Sequence, residues 1–267
     1  MDIKLAKLKD ILRGTGSVLL AFSGGVDSTF LLKAALDVLG QDKVLAVIAV
    51  SETYPASEKQ QAQELGEKLG VKTLVIETRE LDNESFRRNP QDRCYFCKSE
   101  LFSRLNKIAD EKGLAQVIDG SNVDDLSDFR PGAKAKKELG IRSPLQEAGL
   151  TKQEIRDLSR SLGLPTWDKP SYACLASRIP YGTRIEPETL IRLDEAEKFL
   201  RTLGFKQLRV RHHGNLARIE LEEKDIPKVL GNGLMDKINN KFATLGYIYV
   251  TIDLKGYRTG SLNEALI

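Results

Sequence analysis

The fold is decided by the stretch Ser17-Val18-Leu19-Leu20-Ala21-Phe22-Ser23-Gly24-Gly25-Val26-Asp27-Ser28. Its first half is an apolar run of strand length, and its second half contains two adjacent glycines that turn the chain. Apolar residues at helical spacing follow between Phe30 and Leu39. A buried strand, a glycine turn and an amphipathic helix in this order predict one unit of a parallel sheet that helices cover on both faces.

The same alternation continues through the first half of the chain. Predicted strands cover residues 44–50, 73–76 and 117–118, and predicted helices cover residues 3–12, 57–69 and 98–111. Strands that alternate with helices indicate an α/β domain with a parallel sheet. The polar stretch 119–143 is expected to form a loop over the carboxyl edge of that sheet, where open α/β folds bind ligands.

The second half of the chain is organised differently. Thr151 and Glu154 form the pattern of a capping box, which predicts a helix that ends near Gly163. Four prolines between residues 164 and 187 mark a junction between domains. The remaining predictions are helices at residues 189–203 and 225–238 and strands at residues 208–210, 217–221 and 247–254. We therefore expect an α/β domain over residues 1–180 and a smaller α+β domain over residues 188–267, which would serve substrate binding or oligomerisation.

Composition limits the partners of the protein. The chain has 267 residues, with 41 Lys and Arg against 38 Asp and Glu, and a formal net charge of +3. This charge is too small for general adhesion to nucleic acid or to membranes. No apolar run reaches the roughly 18 residues that span a bilayer, so we expect a cytoplasmic protein without a membrane partner. Its three cysteines are too few for a disulfide scaffold, which predicts reduced thiols.

Residues 23–28, called here the phosphate loop, predict an anion site. Glycine lets the backbone approach a ligand closely, and the N–H groups at a helix N-terminus favour a negative charge. The segment lacks the Gly-Lys-Ser/Thr of a Walker loop, and the Gly14-x-Gly16 pair precedes the strand, which excludes the dinucleotide fingerprint. Phosphate is the expected ligand, and a tight turn that only joins strand to helix is the alternative.

The three cysteines form the second chemical signal. Cys94 and Cys97 form a C-x-x-C pattern just before a predicted helix, and Cys174 lies far along the chain. Thiolates are both nucleophiles and soft metal ligands. Three thiolates suit a [4Fe-4S] cluster that leaves one iron open, whereas zinc would need a fourth ligand such as His212 or His213. Buried structural thiols are a further alternative.

The phosphate loop resembles that of the N-type ATP pyrophosphatases, in which a Ser-Gly-Gly-x-Asp-Ser loop holds the pyrophosphate of ATP. The resemblance implies that the leaving pyrophosphate is held by Ser23, Gly24, Gly25 and Ser28. It also implies that Asp27 helps to hold Mg²⁺, which would stabilise the charge of the leaving group. Adenine would be framed near Ser51, and Gly120 would belong to a second nucleotide loop at residues 119–125, for which an acidic solvated loop is the alternative.

Five further motifs extend over nearly the whole chain. They are Arg93-Cys94-Tyr95-Phe96-Cys97-Lys98, Gly120-Ser121-Asn122-Val123-Asp124-Asp125, Ala173-Cys174-Leu175-Ala176-Ser177-Arg178-Ile179-Pro180-Tyr181-Gly182, Arg209-Val210-Arg211 and Gly256-Tyr257-Arg258-Thr259-Gly260-Ser261-Leu262-Asn263. Together they resemble the ATP-dependent sulfur transferases of nickel-pincer nucleotide synthesis, the LarE family. The resemblance implies a Rossmann-like ATP pyrophosphatase domain of the adenine nucleotide alpha hydrolase type, followed by a smaller α+β domain. It implies sulfur insertion into pyridinium-3,5-biscarboxylic acid mononucleotide, for the cofactor of lactate racemase.

The implied reaction begins with transfer of AMP from ATP to a carboxylate, which releases pyrophosphate and activates the acyl group. Family members of one type then use the cysteine that matches Cys174 as a sacrificial sulfur donor. Members of a second type hold a [4Fe-4S] cluster with three cysteines, and its open iron carries an extra sulfide. Cys94, Cys97 and Cys174 favour the cluster type here, while a sacrificial Cys174 stays open.

Three arginines are candidates for contact with this substrate. Arg209 and Arg211 occupy alternate positions of a predicted strand and would point the same way, so that their guanidinium groups could clamp the substrate phosphate. Arg178 lies close to the sulfur donor in sequence and could neutralise a carboxylate. Arginines exposed on a strand are the alternative. Glu197 and Glu220 are weaker candidates for contact with a divalent metal.

Two other functions stay open. Another adenylating enzyme, such as a tRNA thiolase or an amide-forming synthetase, would share the phosphate loop, although a charge of +3 does not suit tRNA. A nucleotide sensor without catalysis would leave the three cysteines without a role. We expect the partners to be ATP, Mg²⁺, the pyridinium mononucleotide, further copies of the chain in a homo-oligomer, an upstream sulfur donor and other cofactor-maturation proteins. Nucleic acid is not expected among them.

Overall fold

The computed structural model describes residues 2–53, 56–126, 131–170, 173–231, 233–258 and 260–266. The chain divides into two compact units. The N-terminal unit contains Met1–Phe86 and Asp92–Tyr172, and the C-terminal unit contains Arg87–Gln91 and Ala173–Ile267. Each unit is built around its own sheet. No helix in the described ranges is long and apolar enough to cross a membrane.

A four-stranded sheet forms the centre of the N-terminal unit, which confirms the predicted α/β class. Its strands are β1 (Val18–Ala21), β2 (Val44–Val50), β3 (Lys72–Glu77) and β4 (Gln116–Ile118). Their order is β3-β2-β1-β4, and all three pairings are parallel. The segments that follow β1, β2 and β4 therefore all start from the carboxyl edge of the sheet. The strand order reverses between β1 and β4, and such a point is where open α/β folds bind ligands.

Helices pack on both faces of this sheet. The helices up to residue 161 are α1 (Asp2–Thr15), α2 (Val26–Leu39), α3 (Ala56–Lys68), α4 (Glu84–Arg87), α5 (Arg93–Lys112), α6 (Gly132–Glu138), α7 (Pro144–Glu147) and α8 (Lys152–Ser161). Successive residues of β1 enter different cores: Leu20 joins a cluster with Phe30 of α2, whereas Leu19 joins a cluster with Phe102 of α5. A strand that is buried on both faces needs an unbroken apolar run, which is what β1 contains.

The structure corrects two predictions for this unit. α5 begins at Arg93, ahead of the predicted start at residue 98, so Cys94 and Cys97 lie within the first five residues of a helix instead of before it. The stretch 119–143 is not a continuous loop, because it contains α6 directly after Pro131. Proline is favoured at the start of a helix, and the alanines and lysines that follow are good helix formers.

The C-terminal unit is an α+β unit with a three-stranded sheet. Its strands are β5 (Leu208–His213), β6 (Leu216–Leu221) and β7 (Tyr249–Ile252), in the order β5-β6-β7. β5 and β6 are antiparallel, whereas β6 and β7 are parallel. Its helices are α9 (Pro187–Thr202), α10 (Ile226–Val229) and α11 (Leu234–Thr244). The single helix predicted over residues 225–238 is wrong, because Gly233 has a φ of +66° and separates α10 from α11.

Candidate active site

The phosphate loop connects β1 to α2 at the carboxyl edge of the N-terminal sheet. Gly24 adopts a φ of +65°, and a Cβ atom on it would lie 3.0 Å from the Cβ of Ala62 in α3, so only glycine fits without strain. The hydroxyl oxygens of Ser23 and Ser28 lie 3.1 Å apart, and Ser28 Oγ donates to the carbonyl of Gly25. The two hydroxyls thus meet at the start of α2, where the first backbone N–H groups of a helix have no intrahelical acceptor.

The second predicted nucleotide loop packs directly against this turn. A Cβ atom on Gly120 would lie 3.0 Å from the backbone nitrogen of Ser28 and 3.3 Å from the carbonyl carbon of Asp27. Any side chain at position 120 would therefore collide with the backbone at the start of α2. The structure brings together Asp27, Ser28 and Gly120, three residues that the sequence analysis assigns to ATP and Mg²⁺.

The carboxylate of Asp27 has two partners in the structure. The ammonium of Lys152, at the start of α8, contacts it directly, and Nδ2 of Asn122 donates to Oδ1 at 3.3 Å. The backbone N–H of Lys152 donates to Asp124 at 2.8 Å. A carboxylate is a ligand that Mg²⁺ prefers, so the side chain of Asp27 fits the ion. Asp27 was predicted from the sequence and Lys152 was not, because a lysine in the first turn of a helix carries no signal of its own.

A second lysine holds the loop that follows β4. Lys136 Nζ, in α6, donates to Ser121 Oγ at 2.7 Å and to Ser143 Oγ at 3.0 Å, and it lies 3.1 Å from Asp119 Oδ2. Ser143 Oγ donates to the other oxygen of Asp119 at 2.6 Å. This closed ring of four side chains fixes the backbone on both sides of Gly120. Nothing in the sequence pattern indicated it, because Lys136 lies in the stretch that was expected to be a loop.

Ser51 follows the carboxyl end of β2, the strand beside β1 in the sheet. Its hydroxyl oxygen lies 2.9 Å from Thr53 Oγ1 and accepts a hydrogen bond from the N–H of Thr53 at 3.2 Å. The chain therefore turns at Ser51 as it leaves the sheet. Ser51, the phosphate loop and Gly120 follow three strands that are neighbours along one edge.

A cavity of about 410 Å³ is lined by Gly24 of the phosphate loop and by a lysine that the sequence analysis missed. The ammonium of Lys169 lies 2.8 Å from Glu58 Oε2 and donates to the carbonyl of Gly24 at 3.2 Å and to Gln61 Oε1 at 3.1 Å. Glu58 is buried, so its carboxylate fixes this positive charge beside the phosphate loop. Lys169 was not detected because it lies in the proline-rich stretch that was assigned to a domain junction.

Cys94 and Cys97 are half-buried cysteines outside any disulfide, and both lie within the first five residues of α5. Residues three apart on a helix share a face, which suits two ligands of one metal or cluster. Cys97 Sγ donates to Glu80 Oε1 at 3.7 Å, and the same oxygen accepts a hydrogen bond from Thr78 Oγ1 at 2.9 Å. Across the part of the chain that the structure describes, no group of three or more His, Cys, Asp or Glu side chains is placed to hold a metal ion.

In the C-terminal unit, Cys174 is an exposed free thiol directly before the 3₁₀ turn Leu175–Arg178. Its carbonyl oxygen accepts three hydrogen bonds: from Ser177 N–H at 3.0 Å, from Ser177 Oγ at 2.8 Å and from Arg178 Nη1 at 3.1 Å. The thiol is thus accessible while the backbone beside it is held by groups of the turn.

Arg178 has no exposed surface in the structure. Its Nε and Nη2 form a bidentate pair with the Glu197 carboxylate, at 2.8 and 3.0 Å. Burial alone would raise the pKa of Glu197, but the Arg178 cation holds that pKa below its ordinary value. The carboxylate that Arg178 neutralises in this structure is therefore one of the protein's own.

Arg209 and Arg211 lie on β5, and both are buried, so the alternative of exposed strand arginines is wrong. Arg211 forms a bidentate pair with Glu220, at 3.0 and 2.9 Å. The guanidinium of Arg209 instead lies 5.0 Å from the ring centre of Tyr257. Burial and the nearby Arg178 cation lower the pKa of Arg209.

Some known proteins resemble part of this chain, and others resemble nearly all of it. The NAD synthase family matches residues 6–111, which include the phosphate loop. An uncharacterized protein of Synechocystis is 45% identical over 100% of this chain and 99% of its own length. The pyridinium-3,5-bisthiocarboxylic acid mononucleotide synthase of Lactiplantibacillus plantarum is 44% identical over 98% of this chain and 93% of its own length. An argininosuccinate synthase of Haloarcula marismortui is 27% identical over 70% of this chain and 48% of its own length.

Proposed function

Since the chain belongs to the family of pyridinium-3,5-bisthiocarboxylic acid mononucleotide synthases, we propose that it uses ATP to insert sulfur into pyridinium-3,5-biscarboxylic acid mononucleotide. The similarity over 98% of the chain carries this proposal, because a match of that length extends through both units. The product would be the bisthiocarboxylic acid mononucleotide, whose soft sulfur atoms suit the nickel of the lactate racemase cofactor.

In the first step, an oxygen of the substrate carboxylate attacks the α-phosphorus of ATP. The bond to the bridging oxygen breaks, pyrophosphate leaves with its electron pair, and a mixed anhydride with AMP forms. We assign the leaving pyrophosphate to Ser23, Gly24, Gly25 and Ser28, since their hydroxyl and N–H groups lie at the start of a helix. Mg²⁺ held by Asp27 would offset the charge that grows on the leaving group. Ser51 and Gly120 would contact the nucleotide.

In the second step, the Cys174 thiolate attacks the activated carbonyl carbon, and AMP leaves with the electron pair of the C–O bond. The resulting thioester joins the substrate to the protein. Removal of the Cα proton of Cys174 then breaks its Cβ–S bond, and the electron pair of that bond stays on sulfur. The substrate gains a thiocarboxylate and residue 174 becomes dehydroalanine, without any external oxidant or reductant. The exposed position of Cys174 supports this role.

The three cysteines support a second form of sulfur supply, in which Cys94, Cys97 and Cys174 hold a [4Fe-4S] cluster. All three lie outside any disulfide, and Cys94 and Cys97 share one face of α5. When bound, such a cluster would supply an iron with an open position at which sulfide can be carried. Cys174 would then serve as a ligand and survive the reaction, and an upstream protein would have to deliver sulfide.

We assign the phosphate of the substrate to Arg209. Its guanidinium is buried on β5 and stacks near Tyr257, and a planar guanidinium fork matches phosphate oxygens. Arg211 lies two positions away on β5, and it stays a candidate for the same phosphate although it already holds Glu220. Arg178 was expected to neutralise a substrate carboxylate, but its guanidinium binds Glu197 and the carbonyl of Ala173, so we assign it no contact with the substrate.

The test is an anaerobic assay of the full chain with ATP, Mg²⁺ and the pyridinium biscarboxylate mononucleotide. We expect release of pyrophosphate that depends on the mononucleotide, and a thiocarboxylate product by mass spectrometry. Parallel reactions replace the mononucleotide with tRNA or with ammonia. Equal pyrophosphate release with tRNA, or an amide formed from ammonia, would contradict the substrate assignment and favour another adenylating enzyme. Binding of ATP without any cleavage would favour a nucleotide sensor.

A further inference from the structure

The backbone that carries Cys174 is held by a buried guanidinium. Nη1 of Arg178 donates to the carbonyl of Ala173 at 2.8 Å, to the carbonyl of Cys174 at 3.1 Å and to Ser177 Oγ at 3.0 Å. The opposite edge of the same guanidinium binds Glu197. Arginine has five N–H donors in a planar fork, which lets one side chain serve both sets of acceptors, whereas the three donors of lysine share a single nitrogen.

Glu197 is itself fixed to the body of the C-terminal unit. It is 1% exposed, accepts a hydrogen bond from the backbone N–H of Val210 in β5 at 3.1 Å, and pairs with Arg201 one turn along α9 at 2.9 Å. Because both Arg178 and Glu197 are desolvated, separating them would leave a buried charge without its counter-charge. The guanidinium is therefore a rigid point to which the segment before the 3₁₀ turn is attached.

A second arginine holds the other end of this segment. Nη1 of Arg211 donates to the carbonyl of Ser177 at 2.7 Å, while its remaining donors bind Glu220 and Ser261. Residues 173–177 thus have carbonyl groups bound to two buried arginines, each backed by a buried glutamate. A loop that exposes a thiol is here restrained at both of its ends.

We propose that Arg178 is a positioning residue for sulfur donation: it binds the carbonyl oxygens of Ala173 and Cys174 and so fixes the backbone from which Cys174 delivers sulfur. This inference rests on the proposed function, in which Cys174 takes part in sulfur transfer. Misplacement of a reacting atom by about 1 Å costs roughly 100-fold in rate. ATP itself is assigned to residues of the N-terminal unit, and Arg178→Lys keeps the positive charge at position 178, so cleavage of ATP should persist in that variant.

The test compares Arg178→Lys with Arg201→Lys. The first variant keeps the positive charge but lacks the planar guanidinium, which hydrogen-bonds both to Glu197 and to the carbonyl groups of residues 173 and 174. The second is the matched control, because Arg201 also pairs with Glu197 but is 24% exposed. Single-turnover reactions with ATP and the pyridinium mononucleotide give pyrophosphate released and sulfur transferred. We expect Arg178→Lys to retain pyrophosphate release and to lose about 100-fold in the rate of sulfur transfer. Arg201→Lys should retain both rates.

Hydrogen exchange of the backbone amides gives a second measurement that needs no substrate. The N–H of Ser177 donates to the carbonyl that Arg178 holds. We expect the amides of residues 175–178 to exchange faster in Arg178→Lys than in the wild type, and at the wild-type rate in Arg201→Lys. Unchanged exchange in Arg178→Lys would show that its guanidinium does not fix the segment.

Two kinetic results would overturn the proposal: sulfur transfer at the wild-type rate in Arg178→Lys, or a parallel loss of both steps with a lower melting temperature. If Arg178→Lys does not fold, Ser177→Ala replaces it, since it removes one of the donors to the Cys174 carbonyl. An unchanged ratio of sulfur transferred to pyrophosphate released in Ser177→Ala would then refute positioning. A wild-type protein that releases no pyrophosphate with the mononucleotide would contradict the proposed function, while the exchange rates would still decide the role of Arg178.

Discussion

The ammonium of Lys152 contacts the carboxylate of Asp27, and the two residues come from the first turns of α8 and α2. This pair places a positive and a negative charge side by side at the edge of the sheet where the phosphate loop ends. A complex of ATP with Mg²⁺ carries charges of both signs, so it can offer a new partner to each of the two side chains. The carboxylate would turn to the metal ion and the ammonium to a phosphate oxygen.

Asp27→Asn should abolish pyrophosphate release that depends on the pyridinium mononucleotide. An amide cannot balance the charge of Mg²⁺, and loss of one electrostatic contact to a developing charge costs at least about 100-fold in rate. The change leaves the apolar residues of β1 and α2 untouched, so circular dichroism should match the wild type. Pyrophosphate release at the wild-type rate would refute the assigned role of Asp27.

Lys152→Gln should weaken ATP binding more than it slows the chemical step. Removal of one charge-assisted hydrogen bond of about 1.5 kcal/mol raises KM for ATP about tenfold. Steady-state kinetics at saturating mononucleotide measure this value. Lys134→Gln is the control, because Lys134 is an exposed lysine of α6. An unchanged KM in Lys152→Gln would show that Asp27 is its only important partner.

Gly120→Ala should damage nucleotide binding although it adds a single methyl group. That carbon would lie 3.0 Å from the backbone nitrogen of Ser28, so either the loop after β4 or the start of α2 must shift. We expect a higher Kd for ATP in isothermal titration calorimetry. Gly14→Ala is the matched control: its Cβ would meet nothing within 4 Å, and alanine stabilises a helix by up to about 1 kcal/mol. Equal affinities in the two variants would contradict close packing of the two loops.

The four strands and the longer helices of the N-terminal unit could be predicted because each carries a local signal, whereas the short helices α4, α6 and α7 were not predicted. β2 was predicted with the bounds that the structure shows, since its apolar run is unbroken. The capping box of α8 is confirmed, because Thr151 and Glu154 exchange their hydrogen bonds within four residues. Both features are determined by residues that are close together in sequence, and periodicity and capping patterns report on such local interactions.

The partners of the charged residues could not be predicted in the same way. Lys152, Lys136 and Lys169 contact acidic residues that lie 125, 17 and 111 positions away in sequence, and only the folded sheet brings them together. Arg178 was expected to meet a substrate, but the structure gives it a buried glutamate 19 positions away. Sequence patterns identify which residues can carry chemistry, while the choice among charged partners depends on tertiary packing.

Anaerobic purification should give a brown protein with about four irons per chain if the three cysteines hold a cluster. Cys94→Ser should then lose the iron and the visible absorption, whereas the fold of the N-terminal unit should persist. A colourless wild-type protein would contradict the cluster. If its Cys174 also loses the mass of one H₂S after a single turnover, the sacrificial route is established.

Lys4→Gln should lower stability in a way that depends on pH. Hydrogen bonds from Lys4 and from the backbone of Thr151 lower the pKa of Glu154 from its ordinary value of 4.5 to about 2. The folded state therefore binds fewer protons here than the unfolded state, so the stabilisation is present above about pH 4.5 and is lost as the pH falls toward 2.

The Lys4 and Glu154 side chains are 38% and 26% exposed, so solvent limits the effect of their pair to about 0.5 kcal/mol, or a melting temperature lower by about 1–2 °C. Thermal unfolding of the wild type and of Lys4→Gln between pH 2 and pH 7 measures the difference. We expect it to be largest at pH 7 and to shrink below pH 4.5, while Lys7→Gln, an exposed change on the same helix, should show no such dependence. A difference between Lys4→Gln and the wild type that stays constant from pH 7 to pH 2 would mean that Lys4 stabilises α1 without acting through the charge of Glu154.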